Sequence, residues 1–281
     1  MPADRIRIVE VGPRDGLQNE KAHVPTDVKV AFVDALSAAG YDEIEVSSFV
    51  SPKWVPQLAD AEQVFARIAR QPGVRYTALV PNEQGLARAL ASRADGVSVF
   101  TAASETFSRR NTNASIAETL ERFRPVIASA PVPVRGYVST AFHCPFEGPI
   151  APDATVRVAE QLLALGCAEL SIGDTIGRAT PDEVRRLLEL LLARVPVAKV
   201  ALHLHDTFGQ AVENARAGEA MGVRVFDASA GGLGGCPYAP GAPGNVSTQA
   251  LVHAFGARTG LDLAQVERAS AIVLPARSPR G

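Results

Sequence analysis

Cysteine is scarce and scattered in this sequence: three thiols in 281 residues, at positions 144, 167 and 236. The number is odd and the spacing holds no CxxC pair, so the sequence encodes neither a disulfide framework nor a cysteine metal finger. A reducing compartment fits better than an oxidising one. Blocks of charge are also missing. Lys and Arg total 28 against 30 Asp and Glu, a net charge of −2 with no basic run. That balance excludes the electrostatic footprint of a nucleic-acid binder or of a protein held on an anionic membrane surface. No apolar run reaches the roughly 20 residues of a membrane-crossing helix. The opening "MPADRIRIVEVG" enters a strand-like run without the apolar centre of a signal peptide. The expectation these absences leave is a soluble cytoplasmic protein acting on small molecules.

What is present is enough apolar material for a full core, 47% of 281 residues. Eight short β-branched or apolar runs recur at intervals of about 30 residues: "IRIVEVG" (6–12), "EIEVSS" (43–48), "RYTALV" (75–80), "GVSVFTAA" (96–103), "VRGYVST" (134–140), "AELSIGD" (168–174), "KVALHLHD" (199–206) and "VFDASAGG" (225–232). Amphipathic stretches lie between them, among them 26–40 and 180–195. In the second, Thr180 can cap, Pro181 suits the first helical position, and Asp182 and Glu183 favour the positive end of the helix dipole. In the first, Gly40 is placed to stop the helix. Eight strand-then-helix units predict a (β/α)8 TIM barrel with its active site at the C-terminal ends of the strands. A doubly wound sheet is the competing architecture, but "VGPRDG" puts Pro and Arg where a dinucleotide fingerprint needs GxGxxG. No linker divides the chain, so we expect one catalytic domain over 1–281, with its core at about 5–260 and a loosely held tail at 274–281. "GDTIG" (173–177) and "HDTFG" (205–209) echo one another after successive strands.

The chemistry should then sit where polar residues end strands. In "HLH" side chains alternate faces, so His203 and His205 point together into the barrel while Leu202 and Leu204 point to the helices. Two imidazoles make half a metal site, and Asp15 and Asn245 from adjoining units can add oxygens. Such a set suits a divalent ion such as Mg²⁺ or Mn²⁺, and its ligand types also allow Zn²⁺. Taken alone, HxH is equally what a hydrogen-bonded core histidine would give. Glu45 falls in a strand covered on both faces and needs a partner, for which Arg14 is the candidate. The pair is either purely structural or a means of aiming a fixed donor at an oxyanion. Asp174 can orient a base or cap the turn that follows.

The segment "GGLGGCPYAPGAPGN" (231–245) reads as a loop without regular structure, glycine-hinged before Cys236 and stiffened by Pro237, Pro240 and Pro243 after it. Loops of this length are often lids, and this one can carry the thiol over a ligand. Cys167 reads as core packing, and Cys144 takes the same bland reading. Lys53, Arg109 and Arg110 lie on mouth loops, where they can meet phosphates or simply be solvated.

Together, "VEVGPRDGLQNE" (9–20), "IEVSSFVSPKWVPQ" (44–57), "VFTAASETFSRRN" (99–111), "GYVSTAFHCPFEG" (136–148), "SIGDTIG" (171–177), "HLHDTFGQA" (203–211) and the cysteine loop resemble the 3-hydroxy-3-methylglutaryl-CoA lyases, in order from about residue 5 to 260. "RDGLQNE" and the cysteine loop are the specific parts. The "HLHD" motif is shared with related barrel synthases, which lack the loop.

The resemblance implies a retro-Claisen cleavage of 3-hydroxy-3-methylglutaryl-CoA to acetyl-CoA and acetoacetate, as in leucine degradation and ketone-body formation. It implies Mg²⁺ or Mn²⁺ held by Asp15, His203, His205 and Asn245, and a homodimer acting on an acyl-CoA. It further implies Arg14 at the enolate oxygen, Cys236 as proton donor, and His203 as ligand and acid/base supported by Glu45 and Asp174. The sequence departs from the family at Ala141, Phe142, His143 and Pro243, which leaves a longer-branched 3-hydroxyglutaryl-CoA as an alternative substrate. A condensing synthase joining acetyl-CoA to an α-keto acid is the other alternative.

Overall fold

The eight apolar runs become strands β1 (Arg7–Glu10), β2 (Glu43–Ser48), β3 (Arg75–Leu79), β4 (Gly96–Ala102), β5 (Val134–Ser139), β6 (Glu169–Asp174), β7 (Val200–Leu204) and β8 (Val225–Ala228). The computed structural model describes residues 4–20, 22–236 and 239–276, apart from the side chains at 235, 236, 239–243 and 276. Each strand pairs in parallel with the next, and β1 closes on β8 from Arg7↔Val225 to Glu10↔Ala228. This is the expected (β/α)8 barrel. Several strands stop short of their apolar runs because the last residues, such as Val11–Gly12 and His205–Asp206, leave the ladder to build the mouth.

The helices are α1 (Thr26–Ser37), α2 (Ala61–Arg67), α3 (Glu83–Ala91), α4 (Glu105–Thr112), α5 (Ile116–Ser129), α6 (Pro152–Leu165), α7 (Pro181–Leu192), α8 (Ala211–Ala220), α9 (Thr248–Phe255) and α10 (Leu263–Val273). α7 starts as the sequence foretells, with Thr180 and Glu183 forming a reciprocal capping box. α1 ends at Ser37, before Gly40, whose φ of +93° makes the turn beyond the helix. Leu202 packs so tightly under α8 that a Cβ on Gly218 would lie 2.3 Å from its Cδ1. No helix among the described residues is long and apolar enough to cross a membrane.

The lumen departs from the aliphatic layers usual in such barrels. One small patch of Val9, Val11, Ala201 and Val225 is apolar. Below the mouth the lumen carries paired charges from alternate positions of the strands. Arg7 Nη1 lies 2.8 Å from Glu43 and Arg7 Nη2 contacts Glu169. Arg135 Nε lies 3.0 Å from Glu169, and Arg135 Nη2 donates to Asp227 Oδ1 at 2.6 Å. Beside these pairs, at the N-terminal ends of the strands, lies a cavity of about 280 Å³ that extends up to Glu45 and Tyr137.

Two turns at the mouth repeat one another, as the sequence echo implies. Gly177 N donates to Asp174 O at 3.1 Å and Gly209 N to Asp206 O at 3.0 Å. Both glycines have positive φ, +68° and +73°.

Candidate active site

Beyond β1 the chain winds into a single π-helical turn, Gly12–Gly16, with Pro13 in its first positions. Its first residue must be small, since a Cβ on Gly12 would stand 2.6 Å from Glu10 Oε1. The turn lifts Arg14 and Asp15 into the mouth. Arg14 donates from Nε to Glu45 Oε2 and from Nη1 to Asp15 Oδ1, each at 2.5 Å, and its guanidinium lies 5.1 Å from the Tyr137 ring centroid. Its Nη2 bonds to none of the described residues. Glu45, the partner expected from sequence, also accepts from Tyr137 Oη at 3.1 Å and from Ser98 Oγ. The β2–β3 register shifts between Glu45 and Ser47, a bulge of the sort that re-aims side chains beside a site.

On β7 the alternation holds. His203 and His205 meet with their Nε2 atoms 3.2 Å apart, and Asp15 completes a group whose ligand atoms all lie within 4.8 Å of one another. Asn245 arrives from the far end of the cysteine loop. An isolated bridge pairs it with His205, and its Nδ2 donates to Asp15 Oδ2 at 2.8 Å and Leu233 O at 3.2 Å. Its Oδ1 bonds to none of the described residues. The two Nε2 atoms lie within hydrogen-bond distance of each other, and His205 Nδ1 is buried without a partner. The two Nε2 atoms and the Asp15 carboxylate form a group that a divalent cation would draw together, so the residues fit one. The mixed nitrogen and oxygen donors suit Mg²⁺ or Mn²⁺ and admit Zn²⁺.

The charges of these groups follow from their neighbours. Burial pushes the Asp15 carboxyl up, but Arg14 and the two imidazoles outweigh it and hold the group well below the usual carboxylate range. Burial lowers Arg14, yet Glu45 and Asp15 hold its guanidinium more firmly protonated than usual. Burial and the neighbouring His203 push His205 down to about 4, which favours the neutral ligand form. His203 is raised: burial opposes its charge, but the hydrogen bond to Asp227 and the charge of Asp15 prevail.

Asp174 ends β6 fully buried, but its oxygens are occupied. Oδ1 accepts from Arg178 N and Oδ2 from Ala179 N, both at 3.0 Å, so the carboxylate holds the following loop in place. Burial pushes it up to about 6 against those amide bonds. The cysteine loop is not irregular throughout, which corrects the sequence expectation. Gly235–Cys236 pairs antiparallel with Ala239–Pro243 as a small ribbon, because backbone groups so far from the barrel ladder find partners in each other. The Cys236 thiol and the Pro243 side chain lie outside the described residues. Cys167 is core, as expected, with burial pushing its thiol up to about 12. Cys144 is also buried and accepts a bond from Ser104 Oγ at 3.0 Å. Ala141 and Phe142 are buried, and His143 Nε2 lies 2.9 Å from Glu183 Oε1. Lys53 is exposed, Arg109 stands 3.9 Å from Glu105, and Arg110 lies over the Phe146 ring at 4.1 Å.

Sequence reasoning passed over Asp227, Arg135, Tyr137 and Ser171. All four lie in strands it had drawn, and the argument applied to Glu45, that a polar residue inside a covered strand needs a reason, would have flagged them.

Residues 5–273 match the HMGL-like family. The cytoplasmic 3-hydroxy-3-methylglutaryl-CoA lyase of Rattus norvegicus is 50% identical over 277 residues, 96% of this chain and 81% of the relative. Among solved structures, the HMG-CoA lyase of Brucella melitensis superposes with a TM-score of 0.95 at 52% identity, covering 97% of this chain and 99% of the other. An HMG-CoA lyase from Acinetobacter baumannii in complex with coenzyme A and 3-methylmalate gives 0.92 at 37% identity, covering 98% and 92%.

Proposed function

The chain belongs to the HMGL-like family, and from that premise we propose that it is a carbon–carbon lyase cleaving 3-hydroxy-3-methylglutaryl-CoA to acetyl-CoA and acetoacetate. The observation that carries this reading is the convergence of Arg14, Asp15, His203, His205 and Asn245 at the mouth of a barrel half identical to lyases of that name.

Asp15, His203, His205 and Asn245 would hold a divalent cation, Mg²⁺ or Mn²⁺. When bound it supplies Lewis acidity that makes the substrate's tertiary hydroxyl easier to deprotonate. The hydroxyl proton passes to a base other than His203, whose Nε2 would be on the cation and whose Nδ1 faces Asp227. As the C3 oxygen becomes the ketone of acetoacetate, the C2–C3 bond pair moves into the thioester and charge gathers on its oxygen. Arg14 donates there through Nη2, with Glu45 and Asp15 fixing the guanidinium so that no reorganisation is needed. A proton then reaches C2 to give acetyl-CoA, and Cys236 is our assignment for its donor. Asp174 acts through position, holding the 175–180 loop. The substrate reaches the site as a free acyl-CoA. The unpaired thiols of Cys144 and Cys167 accord with a cytoplasmic setting, and a homodimer is the assembly we expect from the family.

The test is acetoacetate release from 3-hydroxy-3-methylglutaryl-CoA with Mg²⁺ and a thiol reductant, beside a chelated control and a longer-branched analogue. Metal-dependent acetoacetate is the expected result. Cleavage of the analogue alone would keep the chemistry and move the substrate, and turnover of neither would overturn the reading.

A further inference from the structure

Asp227 sits on β8 facing the lumen, 1% exposed, and it touches the proposed cation site only through His203. Its Oδ1 accepts from Arg135 Nη2 at 2.6 Å. Its Oδ2 accepts from Ser171 Oγ at 2.7 Å and faces His203 Nδ1 at 3.1 Å. Arg135 also forms an ion pair with Glu169 at 3.0 Å, and Tyr137 stands edge-on to the His203 ring with centroids 6.0 Å apart.

We propose that Asp227, clamped by Arg135 and Ser171, is the positioning residue that sets the tautomer of His203, keeping the proton on Nδ1 and the lone pair of Nε2 turned toward Asp15 and His205. The proposal rests on the metal reading of the site for its consequence, but its geometry stands apart from it.

The argument is one of donors and acceptors. A carboxylate can only accept, so the nitrogen facing Oδ2 must carry a hydrogen. A neutral imidazole has one hydrogen, and placing it on Nδ1 leaves Nε2 as the ligand atom. Arg135 fixes which oxygen does what, because a guanidinium has no acceptor. In Asp227→Asn the amide oxygen must therefore stay opposite Arg135. The amide nitrogen then faces Ser171, whose hydroxyl can turn to accept, and His203, whose Nδ1 must become the acceptor. The histidine proton would move to Nε2, the atom the cation needs. An isosteric change of one atom thus predicts loss of a ligand some way from it.

The experiment uses full-length protein with ¹⁵N-labelled histidine, metal-free, at about pH 9 so that free imidazoles are neutral. His203 is identified by the signal lost in His203→Gln. The expected result is an Nδ1-protonated ring in the parent and an Nε2-protonated ring in Asp227→Asn, with the Kd for Mn²⁺ raised about 10- to 100-fold. Ser171→Ala, which removes a donor without reversing any, should keep the parent tautomer. An Nε2-protonated ring in the parent overturns the proposal, as does an Asn variant that keeps Nδ1 protonated and binds Mn²⁺ as the parent does. The parent measurement holds even if the variant fails to fold. A parent with the expected tautomer but no Mn²⁺ binding would count against the cation site and not against the role of Asp227 in orienting His203.

Discussion

Two carboxylates lie equally deep on opposite faces of the barrel wall. Asp227, in the lumen, is 1% exposed and Glu10, on the outer face of β1, is 0% exposed. Burial pushes both up, but Arg135 and His203 outweigh it at Asp227 and hold that group at about 2. Glu10 meets only neutral donors: Tyr41 Oη at 2.7 Å, Gly12 N at 2.8 Å, Ala230 N at 2.9 Å and Thr248 Oγ1 at 2.9 Å. Burial prevails there and lifts it to about 7. Depth therefore does not fix the charge of a buried acid. A counter-charge does: Arg135 and His203 supply it at Asp227, and Glu10 has none, although the outer layer has a buried pair of its own in Lys29 and Asp60, 2.7 Å apart.

The sharpest way to break the contrast is to remove a lumen cation. Arg135→Met leaves Asp227 and Glu169 without it and should cost about 3–5 kcal/mol in urea unfolding. A loss under about 1 kcal/mol would mean that the lumen pairs are dispensable.

The pH dependence should differ in sign between the two acids. Glu10 is protonated in both states below its free value of 4.5. Between that and about 7 the native state keeps a proton the unfolded chain has lost, so its contribution falls as pH rises, by about 3 kcal/mol over the window. For Asp227 the stabilisation is full above 3.8 and lost as pH falls toward 2, a change of about 2 kcal/mol. Unfolding free energies measured from about pH 2 to 8 should show Glu10→Gln flattening the neutral limb and Asp227→Asn the acid limb.

Outer-layer packing is next. Gly218→Ala forces its Cβ onto Leu202 and should cost about 1–3 kcal/mol, read as a lowered urea midpoint with metal affinity unchanged. Thr180→Ala removes one half of the α7 capping box and should cost about 1 kcal/mol in the same assay.

The barrel was legible because strand and helix periods leave a strong imprint on apolar residues, and every one of the eight runs holds a strand. His203, His205 and the Arg14–Glu45 pair were legible too, since alternation fixes the face and a buried charge demands a partner. The lumen network was not. Arg135 and Asp227 are 92 residues apart, and nothing local says that they meet. Asp174 was readable only as a choice between two roles, and the Arg178 and Ala179 amides show the one that holds a loop.

The sequence by itself determined which residues face inward, where helices start, and which side chains end strands, because those depend on backbone period and local hydrogen bonding. Tertiary structure alone decided the charge and tautomer of those side chains. The field at Asp227 or His203 is made by groups that barrel closure brings within about 3 Å from distant strands, where the weak screening of the interior lets a neighbour outweigh burial, while at Glu10 only neutral donors arrive and burial prevails.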